Sequence, residues 1–446
     1  MDKVFKLKEH GTTFQREIVA GLTTFLTMAY ILAVNPGMLS GRFGGVEELI
    51  GMPWGGIFTA TALSAAIATM VMAFAANLPI ALAPGMGLNA FFVYNVVQGM
   101  GYSWEVALTA VFLEGILFVA LSLLNVREAI INAIPVNLKK AVAVGIGLFI
   151  ALIGFANAGI IVQGAGTVVR LAEKLNVADP ITGSHPLLAF FGLIIIAVLY
   201  VLKIPGSILI GIIITTVIGI PMGVTVIHSG WSPFRMPDAP LLFRFDFSQI
   251  MSFNFFVIFF TFLFVDIFDT IGTLVGVTTQ ANLVDKNGNI PRVKQALLAD
   301  SVGTVAGAAL GTSTVTSYVE SAAGVAAGGR TGLTSLTTAV LFLIALFLSP
   351  LFGLIPNAAT APALIFVGFL MIRPVVSINF EDPTEGIPAF ITIIMMPFAY
   401  SIADGIVFGI ISYVIMKVAS AKYKDISVIT WILFVIFLLR FFTRQG

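Results

Sequence analysis

Two stretches, Ala83-Pro84-Gly85-Met86-Gly87 and Gly311-Thr312-Ser313-Thr314-Val315-Thr316, each interrupt an otherwise apolar segment of this 446-residue sequence. Glycine and proline end helices because glycine is conformationally free and proline lacks a backbone N–H. Both stretches occupy the third apolar segment of their half of the chain. Paired interruptions at matching positions are typical of membrane proteins built from two inverted repeats, with a site between the breaks.

The composition makes lipid the main solvent of this chain. Hydrophobic residues make up 58% of the sequence and charged residues only 10%, whereas soluble domains are about 25% charged. Mean hydropathy is +1.04. Apolar runs long enough to cross a bilayer recur from end to end, and they must be helices because an open sheet edge cannot face lipid. We therefore predict an all-α polytopic membrane protein.

The segmentation predicts fourteen transmembrane spans, arranged as seven plus seven in inverted repeats, with spans 3 and 10 broken. The spans begin near Glu17, Gly56, Leu82, Trp104, Leu138, Pro186, Pro205, Asn254, Gln295, Val315, Leu333, Ala361, Gly386 and Asp404. The polar N-terminus, residues 1–16, has no signal-peptide pattern and is expected in the cytoplasm.

The distribution of charge supports this segmentation. With the N-terminus in the cytoplasm, the predicted spans place only five of the 23 lysine and arginine residues on the outer side of the membrane. These are Arg42, Arg170, Lys174, Arg235 and Arg244. Such a bias is what the positive-inside rule expects. The apolar segment 426–442 is short and has basic residues at both ends. We favour an interfacial in-plane helix there, with a fifteenth span as the alternative.

Several classes of site are disfavoured. A formal net charge of +1 argues against binding of nucleic acid by bulk charge. The chain has no cysteine, and its three histidines lie far apart in the sequence. We therefore expect no metal site, no thiol chemistry and no cofactor.

Acidic residues inside spans are the first candidates for function, because a carboxyl group is costly at membrane depth. Asp266 and Asp269 are three residues apart, so they share one helix face, which continues through Thr270 and Thr273. Two acids in a low dielectric are not readily ionised together, which suits a carrier coupled to protons.

Two further polar residues lie beside the breaks. Glu320 follows the second break, where unwound backbone and a carboxylate together would pair with the edge of a flat heterocycle. Asn89 follows the first, and its amide offers a donor and an acceptor, although a helix N-cap is the alternative. Aromatic stacking is a further role for Phe91, Phe92 and Phe268, but most phenylalanines here are expected in the core or facing lipid.

The remaining acids have weaker functional signals. Asp300 lies amid small residues, so a helix-contact role is as reasonable as a role in transport. Glu114 is alone in its span, where it would equally pair across helices. Asp404 lies near a span end, and we interpret it as structural.

Four stretches resemble the adenine/guanine/hypoxanthine permease family within the nucleobase–ascorbate transporter superfamily. They extend over residues 21–30, 83–91, 264–273 and 311–331. The resemblance implies the fold of uracil permease, with short strands replacing helix in spans 3 and 10. It also implies a homodimer.

The resemblance implies a division into core and gate domains. The predicted parts are a cytoplasmic N-terminus 1–16, core spans 1–4 (17–124), gate spans 5–7 (138–222), an extracytoplasmic loop 223–253, core spans 8–11 (254–353), gate spans 12–14 (354–421) and a C-terminal segment 422–446.

The resemblance further implies roles for individual residues. Asp266, Glu320 and Asn89 are expected to contact a purine, and Thr24 to border the site. We add Phe268 and Ser317 to the predicted substrate-binding residues. Asp269, together with Asp266 and Glu320, is expected to couple the movement of a proton.

The expected function is import of a purine nucleobase, guanine or hypoxanthine before adenine, by proton symport across a bacterial inner membrane. An anion carrier of the same fold is the nearest alternative, but acids beside the breaks would repel anions. An intramembrane aspartyl protease would need its two aspartates to face each other from two helices, and Asp266 and Asp269 share one. A channel would not need paired breaks.

Overall fold

The computed structural model of the protein describes residues 2–42, 47–124, 135–164, 167–173, 175, 185–227, 230–281, 283 and 290–443. Among these, helices predominate. The helices before residue 230 are α1 (Asp2–Phe5), α2 (Phe14–Met28), α3 (Ile31–Leu39), α4 (Glu47–Ile50), α5 (Trp54–Val71), α6 (Met86–Ala90), α7 (Trp104–Leu124), α8 (Val136–Asn157), α9 (Pro186–Val201) and α10 (Ser207–Gly219). Two π-helical segments, Met72–Ala76 and Phe91–Gly99, continue α5 and α6.

The later helices follow a polar loop. They are α11 (Phe253–Gln280), α12 (Val293–Leu310), α13 (Ser321–Ala326), α14 (Gly332–Ala345), α15 (Ser349–Gly353), α16 (Asn357–Met371), α17 (Pro383–Phe398), α18 (Ile402–Ala419) and α19 (Val428–Thr443). The strands are β1 (Leu82–Pro84), β2 (Ile161–Val162), β3 (Arg170–Leu171) and β4 (Val315–Ser317).

Eight helical segments in the described part of the chain are long and apolar enough to cross a membrane. They are Phe14–Leu39, Trp54–Ala76, Trp104–Leu123, Val136–Asn157, Phe253–Thr278, Gly332–Gly353, Asn357–Ser377 and Ile402–Ala419. The protein is therefore an all-α, multi-span membrane protein, as predicted.

The other predicted span starts fall on elements that are broken, shorter or less apolar. Two coincide with the strands β1 and β4, and three with the short helices α9, α10 and α17. The last begins α12, an 18-residue helix that carries Lys294 and Asp300 among small residues. Each of these elements begins within about four residues of the predicted start, the usual uncertainty of a boundary predicted from sequence.

The strands β1 and β4 occupy the two predicted breaks and pair with each other. The pairing is antiparallel, with Leu82 opposite Ser317 and Pro84 opposite Val315. Flanking hydrogen bonds extend it, from the Tyr318 N–H to the Ala81 carbonyl and from the Gly85 N–H to the Thr314 carbonyl, both at 2.9 Å. A segment from each half of the chain is thus joined in one buried two-stranded sheet.

The chain divides into two compact units. The first comprises residues 1–123 and 153–366 and contains both strands of the central sheet. In this unit α5 packs against α3, α12 and α14, and α2 packs against α13 and α14. Small residues permit close approach: a Cβ at Gly332 would overlap the carbonyl oxygen of Ala73.

The second unit comprises residues 124–152 and 367–446. Its helices α17 and α18 pack closely against each other. An ion pair joins them, in which the Nζ of the buried Lys417 lies 2.7 Å from the carboxylate of the half-buried Glu385. Asp382 caps the start of α17. Hydrogen bonds from Lys422 and Thr384 lower the pKa of Asp382 to about 2.

The C-terminal helix α19 has apolar residues on both of its sides. Leu433 and Phe437 are buried, whereas Val428, Ile432 and Val435 are exposed. An in-plane helix normally carries a polar face, which this arrangement does not supply in its described residues. Its position relative to the membrane stays a prediction.

The contact at Gly332 leads to a first testable prediction. Gly332→Ala places a methyl group against a backbone carbonyl, which cannot move as a flexible side chain can. We expect the free energy of unfolding to fall by about 1–3 kcal/mol, the usual cost of overpacking. Thermal unfolding in detergent measures this change. Gly276→Ala is the matched control, because a Cβ there meets nothing within 4 Å. Equal melting temperatures for both variants would contradict the packing.

Candidate functional site

The outer edges of the β1–β4 pair hydrogen-bond to side chains of neighbouring helices. Thr69 of α5 accepts from the Leu82 N–H at 2.9 Å and donates to the Leu82 carbonyl at 3.1 Å. On the other strand, Thr304 of α12 donates to the Val315 carbonyl at 3.0 Å. The Asp300 carboxylate accepts from the Ser317 N–H at 3.1 Å. These contacts satisfy backbone groups that lipid cannot.

The face of α11 that carries the paired aspartates lies against β4. Thr270 forms hydrogen bonds of 2.8 Å with Asp300 and with Thr316, and lies 3.4 Å from Asp266 Oδ1. Asp266, Thr270 and Asp300 are fully buried. Asp300 therefore joins α12 to α11 and β4, which is the helix-contact role considered for it above.

The Glu320 side chain is half-buried at the start of α13. Its Oε1 accepts a hydrogen bond of 2.7 Å from the hydroxyl of Tyr30, a residue only 1% exposed. Asp269, also half-buried, is close enough to Glu320 for a direct electrostatic interaction. The structure thus brings the carboxyl groups of α11 and the second break to the same region.

Asn89 and Glu114 connect to the second break from the first half of the chain. The Asn89 side-chain oxygen accepts a hydrogen bond from Ser313. Glu114 Oε2 accepts one of 3.3 Å from Thr314. Both residues are fully buried. The predicted N-cap alternative for Asn89 is wrong, because Asn89 lies within α6 and the cap position is Gly85.

Two predicted site residues have buried hydroxyl groups without a hydrogen-bond partner among the described residues. They are Thr24 and Ser317, which are 0% and 2% exposed. A buried hydroxyl normally finds a partner, because leaving it unpaired is costly. Ser317 belongs to β4, and the Thr24 hydroxyl lies close against Gly324 of α13.

Two of the three phenylalanines considered for stacking on a substrate ring lie in the core. Phe91 and Phe92 are fully buried and pack edge-on against Phe262, with ring centroids 4.9 and 6.5 Å apart. They belong to the core. The side chain of Phe268 lies outside the described residues. Asp404 lies in the first turn of α18, where its N–H donates to the N-cap Ser401, in keeping with a structural role.

Sequence reasoning missed Tyr30 and Glu17. Tyr30 belongs to a stretch quoted above, and a tyrosine in an apolar span signals a hydroxyl that needs a partner. Glu17 marked only the start of the first span, yet its carboxylate is fully buried and accepts several hydrogen bonds near the start of α14. Its position one turn inside the helix was the available signal.

The described residues include no group of three or more histidine, cysteine, aspartate or glutamate side chains arranged to hold a metal ion. The site is a set of carboxyl, hydroxyl and amide groups around a short sheet. Residues 15–408 match the Xan_ur_permease model, which describes the Permease family. The chain belongs to this permease family. It is a permease and not an enzyme, as predicted.

Relatives match over nearly the whole chain. A putative permease of Methanocaldococcus jannaschii is 47% identical over 100% of this chain and 99% of its own length. The guanine/hypoxanthine permease PbuG of Bacillus subtilis is 46% identical over 99% of both chains. The adenine permease AdeP of Escherichia coli is 42% identical over 99% of this chain and 95% of its own. The predicted family resemblance is confirmed.

Solved structures share the fold at low identity. The transmembrane domain of the cyanobacterial bicarbonate transporter BicA superposes with a TM-score of 0.61 at 17% identity, covering 88% of this chain and 97% of that one. The murine anion transporter Slc26a9 in its inward-facing state gives 0.59 at 13% identity, covering 92% and 68%. This fold accommodates different cargoes, so the cargo must be argued from the site.

The hydroxyl of Thr270 provides the second prediction. Thr270→Val keeps the shape of the side chain but removes the group that joins Asp300 to Thr316. We expect the free energy of unfolding to fall by about 1–3 kcal/mol, because polar groups are left unpaired. Thermal unfolding in detergent measures this change. Thr261→Val on the same helix is the control, because the Thr261 hydroxyl donates to the Val257 carbonyl of its own helix and links no other element among the described residues. Equal losses in the two variants would contradict a special role for Thr270.

Proposed function

We propose that this permease carries purine nucleobases across a membrane, guanine and hypoxanthine before adenine. The observation that carries the proposal is that Asp266 lies beside β4 through Thr270, while Asp269 on the same helix is close enough to Glu320 for a direct electrostatic interaction. Relatives that are 46% and 42% identical, matched over 99% and 95% of their own length, bear the names guanine/hypoxanthine permease and adenine permease.

The chemistry of the site suits a purine. A purine ring has N–H groups that donate to carboxylates, and ring nitrogens or carbonyls that accept from hydroxyl and amide groups. Asp266 and Glu320 would accept from the ring N–H groups, and Asn89 would pair with an edge that offers both a donor and an acceptor. Phe268 stays a predicted stacking residue.

An anion carrier of the same fold is the second candidate, because the fold resembles that of a bicarbonate transporter. Anion sites are normally formed by positive groups or helix N-termini. The short helices α6 and α13 do begin beside the strands, but the carboxyl side chains there would repel an anion. The neutral purine is therefore the better match.

We further propose a mechanism of proton symport with elevator-like alternating access. The fourteen spans would form two inverted repeats of seven, and a core of spans 1–4 and 8–11 would move relative to a gate of spans 5–7 and 12–14. A proton taken up by the group Asp266, Asp269 and Glu320 would neutralise a carboxylate and lower the cost of enclosing the site away from water. Release to the cytoplasm would return the proton.

The setting of this function is also a proposal. We infer a multi-pass protein of a bacterial inner membrane, with its N-terminus in the cytoplasm because of the charge bias of its loops. The homodimer implied by the family resemblance is retained as an expectation.

Binding to the purified protein tests the cargo. Labelled hypoxanthine should bind, and unlabelled guanine, hypoxanthine and adenine should displace it, whereas bicarbonate should not. Glu320→Gln should weaken binding at least about tenfold, the equivalent of one charged hydrogen bond. The control is Glu173→Gln, because Glu173 is an exposed carboxylate paired with Arg170. Displacement by bicarbonate alone would favour the anion carrier.

Uptake into proteoliposomes tests the coupling. Labelled hypoxanthine should accumulate when the external pH is lower than the internal pH, and a protonophore should abolish accumulation. Asp269→Asn should bind hypoxanthine but lose the response to the gradient, because it lacks a titrating group beside Glu320. Accumulation by the unaltered protein that ignores the gradient would refute proton symport.

A further inference from the structure

One face of α2 lies along the segment 320–334, with a polar contact at each end. At one end, Tyr30 donates to Glu320 Oε1, and Thr27 lies 3.4 Å from the Glu320 carbonyl oxygen. At the other end, Glu17 accepts from residues that begin α14. Glu17 lies in α2 and Tyr30 directly precedes α3, within one membrane-crossing segment.

The Glu17 carboxylate is surrounded by hydrogen-bond donors. Oε1 accepts from the Arg330 N–H at 2.9 Å. Oε2 accepts from the hydroxyls of Thr331 and Thr334 at 2.9 and 2.6 Å, and from their N–H groups at 3.3 and 3.2 Å. The first N–H groups of a helix have no partner within it, and a carboxylate also complements the helix dipole. Glu17 therefore caps α14 from another helix.

The link between α13 and α14 is held from both sides. The Arg330 guanidinium donates to the carbonyls of Val325 and Gly329 at 2.7 and 2.6 Å, which closes the C-terminal end of α13. The Glu17 carboxylate accepts hydrogen bonds from the residues that follow, Arg330, Thr331 and Thr334. Because α13 has only six residues and begins directly after Glu320, a shift of this link would move the Glu320 side chain.

Between the Glu17 and Tyr30 contacts, α2 packs too closely on the segment 320–334 for the two to slide past each other. A Cβ at Gly324 would overlap the Thr24 hydroxyl oxygen, and one at Gly21 would lie 2.6 Å from the Thr334 carbonyl oxygen. Thr338 also donates to the Gly21 carbonyl at 3.0 Å. Such interdigitated contacts transmit a displacement at one end to the other, because close-packed interiors have little free volume.

We propose that Glu17 is a positioning residue for substrate binding. It holds the segment 320–334 in register on α2, so that Tyr30 reaches Glu320 and fixes the carboxylate toward the substrate. This inference rests on the proposed function, since it assigns Glu320 to the substrate. It adds a residue that touches neither the substrate nor Glu320 itself.

The test is a double-variant cycle on the affinity for labelled hypoxanthine. Glu17→Gln places an amide N–H₂ among N–H donors and should raise Kd about tenfold, and Tyr30→Phe about fivefold. If Glu17 acts through the Tyr30–Glu320 contact, the combined variant should stay within about threefold of Glu17→Gln alone. A combined change of about fiftyfold would show independent effects and overturn the proposal. An unchanged Kd for hypoxanthine in the Glu17→Gln variant would also overturn the proposal.

Glu105→Gln is the matched control. It makes the same chemical change in the first turn of another membrane helix, α7, and the Glu105 carboxylate accepts no hydrogen bond recorded among the described residues. Its Kd should equal that of the unaltered protein. If Glu17→Gln does not fold, Thr334→Val removes one donor to the same carboxylate and enters the same cycle.

Hydrogen exchange provides a readout that needs no substrate. Glu17→Gln should speed exchange of the amides of α13, whereas those of α6 should keep the rates of the unaltered protein. Unaltered protein that binds no purine would refute the proposed function, yet the exchange comparison would still test the positioning. Unchanged exchange in α13 would refute the role of Glu17 whatever the cargo.

Discussion

Backbone groups of a short strand inside a membrane cannot hydrogen-bond to lipid, so the protein itself must provide every partner. Pairing of β1 with β4 satisfies one edge of each strand. The outer edges depend on side chains of the flanking helices: Thr69 serves β1, and Thr304 and Asp300 serve β4. This requirement explains why α5 and α12 carry polar residues at depths where apolar residues would otherwise be expected.

The same requirement fixes the acidic groups of the site. Asp300 contacts β4 and Thr270 at once, so the aspartate face of α11 is held against the second break. Glu320 lies where β4 ends and α13 begins, with the Tyr30 hydroxyl on its carboxylate. Carboxyl groups held in this way need little rearrangement when a ligand arrives, which favours affinity because ordering costs are already met in the folded protein.

The sequence predicts the elements of this arrangement better than their contacts. Apolar runs and the glycine and proline residues at 83–87 and 311–316 locate the spans and the breaks, because membrane insertion and helix termination depend on local composition. The spacing of Asp266 and Asp269 correctly places both on one face of α11. The partners of Glu17 and Tyr30 lie about 300 residues away in the chain, and no local pattern encodes contacts across that distance. An N-cap is the alternative that the sequence allows for Asn89, whereas the structure places this residue inside α6.

The sheet joins strands from opposite halves of the chain, and this bears on how the protein is made. Asn89 and Ser313, which also connect across the sheet, are 224 residues apart. While the ribosome is still synthesising the second half, β1 has been inserted but its partner strand does not yet exist. The N–H and C=O groups on the β4-facing edge of β1 then need other partners, because Thr69 serves only the outer edge of this strand. The pairing can therefore be completed only after residues 315–317 have been made, and a chain that ends before β4 would leave one edge of β1 without its partner strand.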